Sequence, residues 1–219
     1  MRKAVVIIPA KNESLGIKVV IEELRSNGIR DIIVVDGSDD ETAALARSLG
    51  ATVVYEKRNG YGRAYMTGFS RLPKDADVVV CMDGDGTYPA DAVPGLIDML
   101  YDEDVDFISC AREYKSVMGL KHRFGNGVLT VFTNALFGTH MRDSQSGMWV
   151  FRRAVLDKVE FRSSGMAFSE EFKIRVVRNG LRFMEVPTAY RERIGEAKLE
   201  SYYDGVMNLL YLFKLRLEL

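Results

Sequence analysis

Short apolar runs alternate with amphipathic segments over the first half of the chain. Because these runs lack polar alternation, they predict strands that are buried on both faces. The segments between them have helical periodicity, so the pattern predicts an α/β protein with a mostly parallel, twisted sheet flanked by helices. Such sheets bind ligands beyond the carboxyl ends of their strands. The runs are Ala4–Ile8, Ile32–Val35, Thr52–Tyr55, Val78–Met82 and Phe107–Cys110.

Turn and cap residues set the predicted bounds of the first helices. One helix, with Ile17, Val20, Ile21 and Leu24 on one face, should end at Asn27 and Gly28. A second should cover Asp40 to Leu49, with Asp39 or Asp40 as N-cap, and a third should cover Asp91 to Leu100 with Asp91 as N-cap.

The second half of the chain is less regular. Residues 111–126 are predicted to form a loop, and the whole chain is treated as one domain, residues 1–219, with a boundary between halves near residue 110 and a terminal segment at 201–219. The predicted elements are an apolar helix at Val128–Phe137, a strand at Trp149–Arg152, a helix at Phe168–Arg178, a strand at Leu181–Val186 closed by Pro187, and an apolar helix at Tyr202–Leu217.

Composition narrows the class of protein. The chain has 219 residues, 47% hydrophobic and 28% charged, which is typical of a globular protein. A net charge of −1 gives no overall basic excess for nucleic acid, so any anion site must be local. Cys81 and Cys110 lie in apolar runs, which favours buried reduced thiols. No apolar stretch reaches the roughly 20 residues that cross a bilayer, and Ala4–Ala10 is better explained as a strand than as a leader.

Acidic residues follow three of the predicted strands. Glu13 follows the first, Asp36 ends the second, and Asp83-Gly84-Asp85 follows the fourth. Asp83 and Asp85 would repel each other without a cation or hydrogen-bond donors, and oxygen ligands of this kind suit Mg²⁺. A simple turn remains an alternative, because Asp and Gly favour turns.

A glycine-containing loop, residues 58–64, follows the third predicted strand. Gly60 and Gly62 would allow the backbone to approach a ligand, and a helix beginning near Gly62 would expose its N–H groups to it. The loop lacks the third glycine and the position of a dinucleotide-binding fingerprint, so it is a weak signal alone.

These motifs, taken in order, resemble those of family-2 glycosyltransferases with the GT-A fold. The resemblance extends over roughly residues 3–200 and is strongest to dolichyl-phosphate mannose or glucose synthases. The motifs are Pro9-Ala10-Lys11-Asn12-Glu13, Val35-Asp36-Gly37-Ser38, Asn59-Gly60-Tyr61-Gly62-Arg63-Ala64, Asp83-Gly84-Asp85, Asp143-Ser144-Gln145-Ser146-Gly147, and Glu185-Val186-Pro187 followed by Tyr190, Arg193, Gly195 and Lys198.

The resemblance implies a role for each matched residue. A nucleotide-sugar would bind at Pro9, Ala10, Glu13, Asp36, Ser38, Gly60, Arg63 and Asp83, while Asp83 and Asp85 would hold Mg²⁺ or Mn²⁺. Residues 1–110 would then be the nucleotide-sugar and metal half, and residues 111–200 the acceptor half. Two positions depart from the family pattern. Gly37 directly follows Asp36, where the family often has two acids, and Thr87 stands where many of these synthases carry Gln as a further metal ligand.

Basic residues of the second half suit a phosphate acceptor. A phosphomonoester is largely dianionic at neutral pH, so as a nucleophile it needs cations to hold it rather than a strong base. With Asp85, the residues Asp143 and Arg193 are the candidate catalytic residues, and Arg112, Arg123, Gln145, Ser146 and Lys198 are the candidate acceptor-binding residues. Lys115 and Lys121 are better explained as parts of a solvated basic loop, and His122 and His140 as non-ligands.

A hydroxyl acceptor would change these assignments. It would require a general base, for which Asp143, Glu170 and Glu171 are the candidates. Glu170 and Glu171 are adjacent, so they cannot share one helix face.

Together these features predict a metal-dependent glycosyltransferase that moves a hexose from a GDP- or UDP-sugar to dolichyl or another polyprenyl phosphate. That the transfer inverts the anomeric configuration is implied by the resemblance alone. The enzyme is expected in the cytoplasm, peripheral at the inner face of the membrane, where Val128–Phe137 and Val206–Leu217 could contact lipid. These helices could equally be core or a homodimer face. Other functional alternatives are transfer to a glycan hydroxyl, a sugar-phosphate nucleotidyltransferase and a non-catalytic nucleotide-sugar sensor.

Overall fold

The computed structural model of the protein describes residues 2–58, 60–113, 119–195 and 201–219. Seven strands form one sheet in the order β3-β2-β1-β4-β6-β5-β7. All neighbours in the sheet are parallel except β6, which is antiparallel to both β4 and β5. The strands are β1 (Ala4–Ala10), β2 (Asp31–Asp36), β3 (Thr52–Tyr55), β4 (Val78–Cys81), β5 (Phe107–Glu113), β6 (Trp149–Arg152) and β7 (Phe183–Ala189).

The mostly parallel sheet predicted from the sequence is confirmed, but its last strand is Phe183–Ala189 rather than the predicted Leu181–Val186. Pro187 was expected to close the last strand, but β7 continues through it to Ala189. The reason is that β7 lies at the edge of the sheet and pairs only with β5, so one side of the strand has no ladder that a missing N–H could interrupt.

Seven α-helices are described beside the sheet. They are α1 (Ser14–Ser26), α2 (Thr42–Ser48), α3 (Tyr61–Phe69), α4 (Val93–Asp102), α5 (Leu120–Phe137), α6 (Phe168–Arg178) and α7 (Ser201–Glu218). Short 3₁₀ helices occupy Ala90–Ala92 and Arg153–Asp157.

Three predictions about helix bounds are wrong. The loop expected at 111–126 is partly β5 and partly α5, which begins at Leu120 rather than Val128. Asp91 does not cap α4, because it lies inside the preceding 3₁₀ turn. Neither Asp39 nor Asp40 is the N-cap of α2, which is Glu41; the carboxylate of Asp40 instead accepts the N–H of Thr42 at 2.9 Å.

Both faces of the sheet are covered, which explains the uninterrupted apolar runs. Val6, Ile8 and Val34 point into one core with α1 and α4. Ile7 and Val35 point into the other, which is rich in aromatic rings; those of Phe107 and Phe172 lie 4.9 Å apart. Cys81 and Cys110 are buried and free, as predicted.

A smaller apolar cluster joins α5, α6 and α7. Leu129 and Phe137 of α5 meet Ile174 of α6 and Leu212 and Leu215 of α7. In the part of the chain that the structure describes, none of the helices has the length and apolar character needed to cross a membrane.

Candidate active site

A cavity of about 620 Å³ lies at the carboxyl ends of the parallel strands. Its walls come from the segments after β1, β2, β3 and β4, from the segment 190–195, and from α5 and α7. The cavity is therefore where a sheet of this topology is expected to bind ligands.

Two loops at this edge are bonded to each other. Asn12 has a left-handed backbone with φ of 52°, and its N–H donates to Ser38 Oγ at 2.8 Å. Its side-chain oxygen accepts the N–H of Asp39 at 2.9 Å. The adjacent N–H of Glu13 donates to Thr42 Oγ1 at 2.9 Å. These bonds fix the position of Glu13 at the cavity, and Ser38 contributes by supporting the loop rather than by lining the cavity.

Asp36 ends β2 and is 1% exposed. One carboxylate oxygen accepts the N–H of Ser38 at 3.3 Å, and the other is buried without a hydrogen-bond partner among the described residues. A buried carboxylate oxygen without a donor is costly. The oxygen therefore suits a further N–H donor, but Asp36 itself does not line the cavity, so the expectation that it holds a base stays a prediction.

The start of α3 departs from the expectation. The N–H groups of Gly62 and Arg63 donate to the carbonyls of Gly165 and Ser164, at 3.2 and 3.0 Å, so they are not exposed to a ligand. A Cβ on Gly60 would lie 2.3 Å from the Ser164 carbonyl oxygen. Gly60 and Gly62 therefore allow the start of α3 to pack closely against the backbone of residues 163–165. Gly60 does line the cavity, whereas Arg63 does not.

Glu56 and Arg58 also line the cavity. The sequence did not point to Glu56, and it pointed to Arg58 only as part of the glycine-containing loop 58–64. Glu56 accepts two side-chain hydrogen bonds from Arg58, both at 2.8 Å, and one from Thr67 at 2.8 Å. These hydrogen bonds, with that of Arg58 the largest effect, lower the pKa of Glu56 to about 2. The available signal was their position immediately after β3.

Asp83 and Asp85 face the same cavity from the end of β4. Asp83 Oδ1 accepts the hydroxyl of Tyr61 at 3.0 Å. A Cβ on Gly147 would lie 2.8 Å from Asp83 Oδ2, so the glycine leaves that oxygen room. Burial, followed by the negative charge of Asp85, raises the pKa of Asp83 to about 7. The buried pair therefore resists carrying two negative charges unless further positive charge is supplied.

Asp85 has both carboxylate oxygens engaged. Oδ1 accepts the N–H of Thr87 at 2.9 Å and the hydroxyl of Thr87 at 2.6 Å. Oδ2 lies 2.6 Å from a guanidinium nitrogen of Arg193. A second nitrogen of Arg193 lies 3.3 Å from Glu13 Oε1. Thr87 thus orients Asp85 with its hydroxyl.

The donor set at Asp83 and Asp85 fits a hard divalent cation. Both side chains offer carboxylate oxygen, and the pair already attracts the cationic Arg193. Among the described residues, no three His, Cys, Asp or Glu side chains form a metal site by themselves. A cation here would complete its shell with substrate phosphate and water, which is the usual habit of Mg²⁺.

Arg112 and Asp143 form a buried pair beside the cavity. Arg112 donates to both carboxylate oxygens of Asp143, at 2.7 and 2.8 Å, and the Asp143 side chain is 3% exposed. Burial opposes the charge on Asp143, but the hydrogen bonds and charge of Arg112 outweigh it and lower the pKa of Asp143. Arg112 lines the cavity and Asp143 does not, so Asp143 acts on the site through Arg112.

The turn after Asp143 is fixed by hydrogen bonds. The carbonyl of Ser146 accepts from Trp149 Nε1, Ser169 Oγ and Lys173 Nζ, at 2.8, 2.8 and 2.9 Å. Gln145 donates to Glu170 at 2.6 Å and accepts from Asn208 at 3.3 Å, which joins α6 to α7 at the cavity wall. Gln145 lines the cavity, whereas Ser146 is fully buried behind it.

The two adjacent acids on α6 point to different partners, as predicted from their spacing. Glu171 accepts from the N–H of Ser163 at 2.7 Å and from Arg175 at 2.6 Å, which is a structural role. Burial raises the pKa of Glu170 to about 8 and lowers the pKa of Lys173 to about 8. Neither acid lines the cavity.

The structure brings most, but not all, of the candidate residues to the cavity wall. Lys198 and Lys115 lie outside the described residues, as do Asn59 and the side chain of Lys121. Asp36, Ser38, Arg63, Arg123, Asp143 and Ser146 are described but do not line it. Those that line it are Pro9, Ala10, Glu13, Gly60, Asp83, Asp85, Arg112, Gln145 and Arg193.

Comparison with known proteins gives consistent matches. Residues 5–160 match the model of the family described as glycosyl transferase family 2. The dolichyl-phosphate hexose transferase of Haloferax volcanii is 34% identical over 204 residues, covering 91% of this chain and 88% of that protein. The low-salt glycan biosynthesis hexosyltransferase Agl6 of the same organism is 32% identical over 212 residues, covering 91% of this chain, which spans 50% of that relative's length.

A solved structure supports the fold. Glucosyl-3-phosphoglycerate synthase from Mycobacterium tuberculosis, in complex with Mn²⁺, UDP-glucose and phosphoglyceric acid, matches with a TM-score of 0.75 at 22% identity. The match covers 96% of this chain and 79% of that one. The likeness concerns the fold alone, and it confirms the GT-A fold expected from the sequence.

Proposed function

The chain belongs to glycosyl transferase family 2, and from that premise we propose that it transfers a hexose from a GDP- or UDP-sugar to dolichyl or another polyprenyl phosphate with inversion. One observation carries the choice of acceptor. Arg112 and Arg193 line the cavity together with the carboxylate pair, while the three acids that the sequence suggested as base for a hydroxyl acceptor, Asp143, Glu170 and Glu171, do not line it. The names of the two Haloferax relatives support a hexose, and one of them supports the lipid phosphate.

In this proposal the nucleophile is an oxygen of the acceptor phosphate. It forms a bond to the anomeric carbon of the hexose, and the bond from that carbon to the diphosphate oxygen breaks. A dianionic phosphate needs no proton removed, so the site must hold two anionic groups side by side. Arg112, oriented by Asp143, would hold the acceptor phosphate through forked hydrogen bonds.

Asp83 and Asp85 would hold Mg²⁺ or Mn²⁺ beside the diphosphate. When bound, the cation would supply positive charge to stabilise the departing nucleoside diphosphate. Asp36 would accept an N–H of the base, and Pro9, Ala10, Glu13 and Gly60 would form the surrounding wall. The Mn²⁺ and UDP-glucose in the structurally similar synthase support this arrangement.

The lipid part of the acceptor would leave the cavity between α5 and α7. Leu129 of α5 and Gly205 and Asn208 of α7 line the cavity. Elsewhere on the same two helices Phe124, Val131, Leu210 and Leu217 are exposed, and we call them the α5–α7 surface. We propose that this surface lies against the inner face of the cytoplasmic membrane, which makes the enzyme a peripheral one.

The test is turnover of a panel of GDP- and UDP-hexoses with dolichyl phosphate, in the presence of Mn²⁺ or Mg²⁺ and again with a chelator. We expect labelled sugar to enter the lipid fraction only when metal is present. The variant Arg193→Glu should abolish transfer, while Arg47→Glu, an exposed charge reversal on α2, should leave it unchanged.

Release of nucleotide without a lipid product would contradict the acceptor assignment and support a glycan hydroxyl. In that case Asp204, which lines the cavity from α7, is the acid to replace by Asn. Transfer that persists undiminished in chelator would contradict the metal site.

A further inference from the structure

Asp85 offers a single oxygen toward the proposed metal position. Its Oδ1 is held by the N–H and the hydroxyl of Thr87. Its Oδ2 is 2.6 Å from a guanidinium nitrogen of Arg193. A divalent cation that bound Asp85 through Oδ2 would therefore compete with this guanidinium nitrogen for the same oxygen.

The backbone that carries Arg193 is fixed on both sides. The N–H of Ile194 donates to the carbonyl of Asp85 at 2.9 Å, and the N–H of Arg191 donates to that of Thr87 at 2.8 Å. The Ile194 side chain also packs over Gly86, where an added Cβ would lie 2.9 Å from it. Displacement of the guanidinium is thus expected to occur by rotation of the side chain, with the segment 190–195 remaining in place.

A nucleotide in the cavity would offer Arg193 an alternative partner. In the present structure its guanidinium spans Asp85 and Glu13, at 2.6 and 3.3 Å. A diphosphate in the same cavity would offer oxygen pairs that match the fork of a guanidinium. The metal alone repels Arg193 from Asp85 and provides no such partner.

We propose that Arg193 occupies the metal position at Asp85 in the ligand-free protein and passes to the diphosphate when nucleotide and metal bind together. This proposal rests on the proposed function, because it takes a nucleoside diphosphate and a divalent cation as ligands. Its consequence is that Arg193 weakens metal binding in the absence of nucleotide and strengthens binding of the two ligands together, which is a coupling free energy between two sites.

The test measures the affinity for Mn²⁺ by electron paramagnetic resonance of the free ion, without nucleotide and then with saturating GDP or UDP. We expect Arg193→Met to bind Mn²⁺ alone about tenfold more tightly than the wild type, and to gain less from nucleotide, since couplings of this kind are typically about 5- to 150-fold. Arg193→Lys keeps the positive charge but lacks the forked donors of a guanidinium. Its affinity for Mn²⁺ should lie between those of the wild type and Arg193→Met.

Arg191→Met is the matched control, because it removes a guanidinium from the same segment. The side chain of Arg191 instead contacts Glu23 at 2.9 Å and Asp91 at 3.3 Å. Without nucleotide, we expect the Mn²⁺ affinity of Arg191→Met to equal that of the wild type. If this affinity instead rises as much as in Arg193→Met, the effect is a general one of removing positive charge, and the proposed exchange of Arg193 is wrong.

Two outcomes separate this proposal from the proposed function. Unchanged or weaker binding of nucleotide-free Mn²⁺ by Arg193→Met, with nucleotide binding still dependent on metal, would overturn only the exchange. Failure of the wild type to bind Mn²⁺ with either nucleotide would overturn both.

Discussion

At the scale of single residues, Thr87 shows how one hydroxyl can set the geometry of a carboxylate. The sequence identified the position as a departure from its family, but not the direction of the side chain. That direction depends on the turn from Asp85 to Thr87, which closes so tightly that backbone and hydroxyl donate to the same oxygen. The residue type alone does not reveal it.

Replacing Thr87 by Val should weaken binding of metal and nucleotide by about tenfold to a hundredfold. The variant keeps the shape of the side chain and removes one hydrogen bond to a charged group, which is worth about 1.5–3 kcal/mol. The check is the affinity for GDP or UDP with Mn²⁺, and Thr87→Ser should retain most of the wild-type value. Wild-type affinity in Thr87→Val would show that the N–H alone orients Asp85.

Glu170 should make stability depend on pH. Burial raises its pKa from 4.5 to about 8, so the folded state keeps a proton that the unfolded state releases between these values. Stability should therefore fall as pH rises through this range. Burial lowers the pKa of Lys173 from 10.5 to about 8, so this residue should make stability rise with pH between those two values.

The variant Glu170→Gln has no carboxyl group to titrate at this position, so its stability should fall less as pH rises. The free energy of unfolding, measured in urea at several pH values from about 5 to about 8, should vary less than in the wild type. Glu103→Gln, at an exposed position after α4, serves as the control. An equal decline in Glu170→Gln would assign the effect to other groups.

At the scale of elements, the sequence predicted most strands and helices because burial on two faces or on one helical stripe leaves a clear pattern. It missed the start of α5, where Gly125, Gly127 and basic residues resemble a loop. The helix extends through them, and α5 packs along α7. Tertiary packing of this kind overrides local propensity and cannot be read from the segment alone.

Gly60 provides a prediction at the same scale, because the start of α3 depends on it. Its φ is 141°, and a Cβ would lie 2.3 Å from the Ser164 carbonyl oxygen. Gly60→Ala should therefore lower the free energy of unfolding by at least about 1–3 kcal/mol, the usual cost of such a backbone.

The control is Gly95→Ala in α4, where an added Cβ would meet nothing within 4 Å. That change should raise stability by about 0.5–1 kcal/mol, since glycine is unfavourable within a helix. Denaturant unfolding of the two variants measures the difference, and equal stabilities would contradict the tight approach of α3 to residues 163–165.

At the scale of the whole molecule, the two halves of the chain meet in one site. Asp83 and Asp85 come from the first half, whereas Arg112 and Arg193 come from the second. The sequence predicted these residues as members of one site by their order and resemblance to a family. It did not predict their pairing, because contacts such as Arg193 with Asp85 join positions more than a hundred residues apart.

The α5–α7 surface predicts how the molecule associates with lipid. Phe124 is 76% exposed and Leu210 is 58% exposed, and Arg123, Lys214 and Arg216 are exposed on the same two helices. Replacing both Phe124 and Leu210 by Glu should lower the binding to anionic vesicles by tenfold or more, since burying one large apolar side chain contributes about 1.5–3 kcal/mol.

Leu15→Glu on α1, where the side chain is 69% exposed, should leave vesicle binding unchanged. Sedimentation with vesicles of phosphatidylglycerol and phosphatidylcholine measures the effect. Vesicle binding that stays at the wild-type level in the double variant, together with a loss of dimer in light scattering, would instead identify the surface as a contact between two copies.

The antiparallel direction of β6 has a consequence for exchanging recognition loops between relatives. Parallel strands deliver the segments that follow them to the ligand edge of the sheet, whereas β6 delivers the segment that precedes it, residues 143–147. The segment that follows β6, the 3₁₀ turn Arg153–Asp157, lies at the other end of the strands, away from the cavity. A graft intended to change the acceptor would therefore exchange the residues before β6 and leave those after it, where Val155 is buried in the core, unchanged.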